Sequence, residues 1–356
     1  MHYCRKCGNE LEENAHFCPK CGTTVVTYVP PPRSTPMKPI RSDPIIIGAI
    51  VLVAILVVGV VVAALIAAPL SNVTVRQTIE DKTVNVNKLN FNFESTAARV
   101  NVFTQNGSNN NFVISIQGSG SKGTFGGDTG NPVQVLIYND TVNGVQTFTA
   151  KLEESTAFSR FNVVCNIYIN PALTLNLNVT SQAGQVTLTP DKPTTFDSIT
   201  LEASAGTVGA NLQNSTIAGN ISLRTQAGTV DFRTSQIITK GNNTVDLHSN
   251  AGSVNIDQTQ TQTQTLQGNL QVNAVTDLGS VNIGLQLDGN VGSKIISNTN
   301  LGSINTNVQH FSGDKSPIQS DNYPASSNIE INSQTNLGSI NINAVYQSSI
   351  SPIIRN

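Results

Sequence analysis

The chain has 356 residues, with 20 Lys and Arg against 22 Asp and Glu, no tryptophan and five cysteines. A net charge of −2 leaves no basic surplus of the kind nucleic-acid binding needs. Four of the five cysteines lie in the first 21 residues, so Cys165 has no partner after them and a disulfide-stapled fold is excluded there.

Residues 1–24 hold two knuckles, Cys4-Arg5-Lys6-Cys7-Gly8 and Cys18-Pro19-Lys20-Cys21-Gly22. In each, two thiolates face one ion and the glycine permits the tight turn. Cys4, Cys7, Cys18 and Cys21 together supply the closed tetrahedral shell of a structural Zn²⁺ site, with no position left open for substrate. So short a segment cannot bury a useful core, and metal binding must supply most of its folding free energy. His2 and His16 are read as bystanders, because four cysteines already complete the shell. The segment resembles the short zinc-ribbon family found at the N-termini of many bacterial and archaeal membrane proteins. That resemblance implies a structural or protein-docking module.

Residues 25–44 carry Pro30, Pro31, Pro32, Pro36 and Pro39 and read as a semi-rigid linker. The apolar run Ile45 to Ala68 follows, 24 residues without a charge, amide or hydroxyl. As a helix it would be roughly 36 Å long, enough to cross a bilayer core of about 30 Å. Arg33, Lys38 and Arg41 precede it, whereas the first cation after it is Arg76. This asymmetry predicts a single-pass membrane protein with a cytoplasmic N-terminus and an extracellular body. The reducing compartment suits the paired cysteines. Gly59, Ala63 and Ala67 recur at a four-residue spacing that would let two such helices pack closely as a homodimer. Asn72, Asn106, Asn139, Asn178, Asn214, Asn220 and Asn242 each begin a sequon, all after the run; they permit glycosylation without demonstrating it.

From residue 70 onward the pattern is period-two alternation, as in Val84-Asn85-Val86-Asn87, which predicts a mainly β body. Residues 70–170 are irregular and read as a membrane-proximal β region and solenoid start. Over 171–346 a small/Leu-Gly-x-Val/Ile motif recurs, with Gly184, Gly206, Gly228, Gly252, Gly279, Gly302 and Gly338 at intervals of 22, 22, 24, 27, 23 and 36. Periods of this size predict a parallel β-solenoid. Apolar residues stand seven before each glycine (Leu177, Ile199, Ile221), one before (Ala183, Ala205, Leu278), and two and four after (Val186, Leu188). The odd-to-even switch places a corner or bulge at the glycine. Positions −5 and −3 are often Ser, Thr or Ala, which suggests a narrow interior with hydroxyl contacts between turns. Asn255, Asn282, Asn305 and Asn341 share position +3, which predicts an outward Asn ladder, or alternatively a ligand-facing strip. Asp231 holds the same position and is read as solvent-facing. Residues 257–266 lengthen one turn, residues 309–327 form a longer excursion, and residues 347–356 are a tail.

The repeated Ala-Gly-Thr-Val, Ala-Gly-Ser-Val-Asn-Ile and Leu-Gly-Ser-Ile-Asn-Ile strings resemble the adhesin-type "toast-rack" family of bacterial and archaeal surface β-solenoids, over about residues 85–345. The resemblance implies attachment, envelope organisation or envelope-stress signalling, and brings no catalytic residues with it. Asp231, Asp246, Asp257, Asp277 and Asp288 fall at different repeat positions, and neither His248 nor His310 has an acidic neighbour in sequence, so no acid/base pair is legible. The expectation is a non-enzymatic, adhesin-like surface protein binding a glycan or a protein. A transmembrane relay whose zinc head docks a cytoplasmic protein is the second reading, and a polysaccharide-processing enzyme the third.

Overall fold

A computed structural model describes residues 2–4, 6–11, 17–23, 71–105, 110–122, 132–154, 158–260 and 266–347. The linker, the apolar run with Gly59, Ala63 and Ala67, and residues 348–356 lie outside the described residues. Among the described residues no helix is long and apolar enough to cross a membrane.

In the head, two-residue strands His2–Tyr3 and Glu10–Leu11 pair antiparallel. Among the described residues its buried cluster is Cys4, Leu11 and Cys18, with Cys21 packed against it. Nothing on this scale offsets the entropy of ordering the segment without an ion.

The body is mainly β, with one sheet of 14 strands and one of 11, both mostly parallel. Each coil gives a strand before its glycine to the larger sheet and a strand after it to the smaller. Thr174–Ala183 is followed in this way by Val186–Pro190, and Asn243–Ala251 by Val254–Gln260. Neighbouring coils pair in register, Val254 beside Val281 and Ile256 beside Ile283, so that like residues stack into one continuous core. No single coil could bury that surface alone. Cys165 is fully buried in it, and burial pushes its thiol pKa up.

The stack is longer than the glycine repeat and is not in chain order. Residues 88–104 and 145–169 form two further coils without corner glycines, so 70–170 contributes full coils as well as a cap. The spatial order of coils is 145–169, 88–104, 174–190, 195–213, 221–235, 243–260, 270–288, 327–347, 291–309. The interval of 36 joins coils that are adjacent, 291–309 and 327–347, through the excursion. The interval of 23 joins two that are not, because the last coil inserts between its two predecessors, Ile331 pairing with both Val272 and Ile295. Part of the excursion is a hairpin, Phe311–Ser312 with Ile318–Ser320, that pairs antiparallel onto the strand Val291–Leu301. At the opposite end, Val133–Val142 pairs antiparallel onto Val145–Glu154, and Phe112–Lys122 and Ser71–Asp81 extend the smaller sheet. Phe91, Phe112 and Phe148 fill the core at that end, with ring centroids 4.3 to 5.5 Å apart.

One expectation about facing needs correction. The residues just before each glycine do not face the core: Ala183, Ala205, Ala227, Ala251, Leu278, Leu301 and Leu337 are all exposed. Positions −2 and −1 both point outward because the corner begins there, one residue earlier than the glycine pattern suggests. Within 257–266, residues 261–265 lie outside the described residues. The strand continues to Gln260, and Gln258 and Gln260 point inward. Gln260 bonds the backbone of Ile237 through both amide atoms, at 3.1 Å each, in place of a missing strand partner.

Candidate functional site

The head is built from one turn used twice. Gly8 N–H donates to Cys4 O at 2.8 Å and Gly22 N–H to Cys18 O at 2.9 Å, while the amides of Cys4 and Cys18 reach the carbonyls of Asn9 and Thr23. Both glycines are left-handed, at φ 70° and 68°. The two turns bring all four sulfurs within 4.8 Å of one another. Cys4 Sγ lies 3.6 Å from Cys21 Sγ, and Cys7 Sγ lies 3.6 Å from Cys18 Sγ. A tetrahedron of Zn–S bonds near 2.3 Å has edges of about 3.8 Å, so the donor set fits a zinc ion with little adjustment. Hydrogen bonding with the Thr23 side chain and backbone holds the Cys21 thiol down to about 6. The backbone N–H of Asn9 favours the Cys7 thiolate, but Cys21, burial and the other two thiols push Cys7 up to about 12. Four sulfurs this close cannot all ionise unless a cation joins them.

In the body the glycines stand in a column. Gly252 has φ 145°, and a Cβ there would overlap the carbonyl oxygen of Gly228 in the next coil. The same overlap recurs at Gly206, Gly228, Gly279, Gly302 and Gly338. At most corners the residue three before the glycine uses the space. Thr225, Ser249, Thr276 and Thr335 donate to the carbonyls of Gly206, Gly228, Gly252 and Gly279 at 2.8 to 3.2 Å. The hydroxyl contacts expected between turns are these at position −3, and at position −5 Ser297 Oγ meets Ser333 Oγ at 2.7 Å.

The expected Asn ladder is present on the outer face of the smaller sheet. Asn305 donates to Asn341 at 2.9 Å, Asn341 to Asn282 and Asn282 to Asn255 at 2.8 Å, and Asn255 to Asp231 Oδ1 at 2.7 Å. Asp231 is thus not a bare solvent-facing acid but the terminal acceptor of the ladder. Two more ladders on the larger sheet have the same polarity. Asn332 donates to Asn273 and Asn273 to Asp246. Asn300 donates to Asn336 and Asn336 to Asp277. Each chain of amides points its N–H ends toward the N-terminal coils and finishes on a carboxylate. A charged acceptor makes the stronger bond and suits the positive end of aligned dipoles. Sequence reading missed these terminal acids because their repeat positions differ, although each sits one coil before an Asn at the equivalent place.

Beside the first ladder runs a second row, Asp257, Gly284, Asn343 and Asn307, in which Asn307 donates to Asn343 at 3.2 Å. A shallow groove of about 660 Å³ lies over the two rows, lined among others by Asn255, Asp257, Asn282, Gly284, Asn341 and Asn343. Gly284 makes its floor; a Cβ there would sit in ordinary contact, 3.4 Å from Asp257 Oδ1. An Asn in a ladder spends one N–H and one lone pair on its neighbours and keeps another of each for a ligand. The groove thus offers alternating donors and acceptors with one carboxylate, suited to a neutral hydroxylated ligand. His310 Nδ1 does meet an acid, Asp321 Oδ2 at 3.4 Å, but both side chains are more than half exposed on the excursion.

Residues 3–25 match the zinc-ribbon domain family. No curated protein is significantly similar to the chain. Among solved structures, it is similar to a candidate cell adhesion protein from Clostridium sporogenes (11% identity, 77% of this chain and 100% of that one, TM-score 0.37). It is also similar to candidate adhesins from Bacteroides fragilis (15%, 76% and 97%, TM-score 0.27) and Parabacteroides merdae (15%, 78% and 96%, TM-score 0.28). Residues 3–25 are a zinc-ribbon domain, and Cys4, Cys7, Cys18 and Cys21 are its four side chains able to bind the metal.

Proposed function

We propose that this chain is a single-pass membrane protein of the cell surface whose stacked β body binds a neutral glycan without catalysing a reaction. The amide-bearing groove carries the reading: one row of four Asn side chains, beside a second row of Asp257, Gly284, Asn343 and Asn307, repeats at the coil spacing of about 4.8 Å and keeps polar capacity free. A long hydroxylated polymer could engage several coils at once. The uncharged run 45–68 with its basic N-terminal flank supports the anchor and the inward-facing head. The non-enzymatic reading is supported by the use of Asp231, Asp246 and Asp277 as ladder ends, which leaves them poorly placed as an acid/base pair.

Binding of detergent-solubilised full chain to an array of neutral polysaccharides tests this. Gly284→Lys, which fills the groove floor without touching the ladder, is expected to weaken binding by tenfold or more. Equal binding by this variant, or cleavage of any bound polymer, would contradict the proposal. The relay reading has one observation of its own: Phe17 of the zinc ribbon is 63% exposed, an aromatic anchor suited to a protein partner. If Phe17→Ala abolishes capture of a cytoplasmic protein while leaving zinc content intact, the head docks as well as folds.

A further inference from the structure

The two ends of the body differ in character. One is closed by the short hairpin around Phe311–Ser320, whose exposed side chains include Asp314 and Lys315. The other ends in the strand Val133–Val142, the last strand of the larger sheet, whose outer backbone edge has no strand partner among the described residues. Leu136, Ile137, Tyr138 and Val142 are 48 to 60% exposed on it, and Val84 is 77% exposed in the segment between the flanking strands. Leu136 and Ile137 point to opposite faces, so this is not one misplaced side chain. An apolar edge of this length invites aggregation in water, and soluble proteins blunt such edges with Lys, Pro or a bulge. Val133–Val142 has none of these, and Asp140 is its only charge.

The strand Ser71–Asp81 ends the smaller sheet at this same end, tied to Val133–Val142 by Asn139 Nδ2 donating to Asp81 Oδ1 at 3.0 Å. Ser71 is also where the body begins, three residues after the apolar run ends at Ala68. Pro69 and Leu70 can span only about 10 Å between them. A bilayer left at Ala68 is therefore within reach of this end of the stack. We infer that the strand Val133–Val142 seats the body on the lipid surface, with Leu136, Ile137, Tyr138 and Val142 in the headgroup layer. This rests on the reading of 45–68 as the anchor. Tyr is suited to that layer by its apolar ring and polar tip, and headgroups and interfacial water can satisfy the open backbone edge. Charge around the base is mixed, Arg76 and Lys82 against Glu80, Asp81 and Asp140, so uncharged lipid suffices.

The absence of tryptophan makes the test direct. Full chain carrying Tyr138→Trp is reconstituted in phosphatidylcholine vesicles with and without brominated acyl chains. Leu301→Trp, an exposed position on the coil at the far end, serves as the reference. Val142→Trp repeats the reading independently of Tyr138. Emission from the Tyr138→Trp and Val142→Trp proteins is expected to shift to shorter wavelength and to fall by about twofold with brominated lipid, while the reference is unchanged. A protein that resists alkaline extraction from the vesicles, yet whose base indoles are not quenched, overturns the docking and leaves the anchor standing. Loss of the whole chain on extraction overturns both. A wavelength shift that depends on protein density without bromine quenching would mean that a second copy covers the strand, which also overturns the inference.

Discussion

Head and body both repeat a short motif punctuated by glycine, but the glycine answers a different demand in each. At Gly22 the backbone is left-handed, at φ 68°, and a Cβ would meet nothing within 4 Å. The cost of a side chain there is conformational only. At Gly252 the cost is conformational and steric together, because the carbonyl of Gly228 occupies the place of the Cβ. The difference follows from what holds each region. Two knuckles closing on one ion leave their outer surface free, whereas coils stacked backbone on backbone leave no room at the corner.

The largest expected effect separates the regions outright. Chelation of zinc, or Cys4→Ser, should unfold the head, since structural zinc contributes about 10–16 kcal/mol of apparent binding energy in modules of this size. Hydrogen exchange followed by mass spectrometry should then show residues 3–23 unprotected and residues 71–347 unchanged. Next comes Gly252→Ala, expected to cost more than about 4 kcal/mol in a denaturant titration because backbone must move in two coils. Gly22→Ala should cost only about 1–2 kcal/mol of head stability, and Gly22→Asn less. Equal costs at the two glycines would mean that the column is looser than described.

A smaller effect probes the hydroxyl column. Thr276→Val removes the donor to Gly252 O and should destabilise the body by about 1 kcal/mol. The coil with Ala203 at the same position has no such donor, so Ala203→Ser should raise the melting temperature. The smallest effect concerns the base. Burial works against ionisation of Asp81, but hydrogen bonds from Gln146, Thr83 and Asn111 outweigh it and hold the carboxyl below its usual 3.8. Its folded pKa is depressed, so its contribution is complete above the unfolded value and is lost as pH falls below about 3.8 through the folded one. Exchange protection of the strand Ser71–Asp81 should drop in that acid window before the central coils respond, and Asp81→Asn should remove the pH dependence.

The zinc ligands were legible because metal geometry is local: two C-x-x-C-G turns state their own structure. The glycine corner was legible because period-two alternation breaks phase there. The order of the coils was not, because Ile331 pairs equally well with Val272 or Ile295 and no local residue says which neighbour arrives first in the chain. A solenoid start was legible within 70–170, but not the bounds of the coils at 88–104 and 145–169, because their corners lack glycine; Ala98, at the end of the column, stands where its carbonyl faces Gly184. The exposure of Leu278, Leu337 and Leu301 also ran against a hydrophobicity pattern, since a corner reverses facing within one residue. The roles of Asp231, Asp246 and Asp277 became visible only once the register placed each beside an Asn of the following coil.

The proposed function places head and body on opposite sides of a membrane, through the run 45–68. Protease treatment of intact cells, with separate tags on the head and on the body, measures this directly. The account predicts that the body tag is released while the head tag stays with the cells until they are lysed. Release of the head tag with retention of the body, or retention of both under conditions that digest the purified chain, would contradict it.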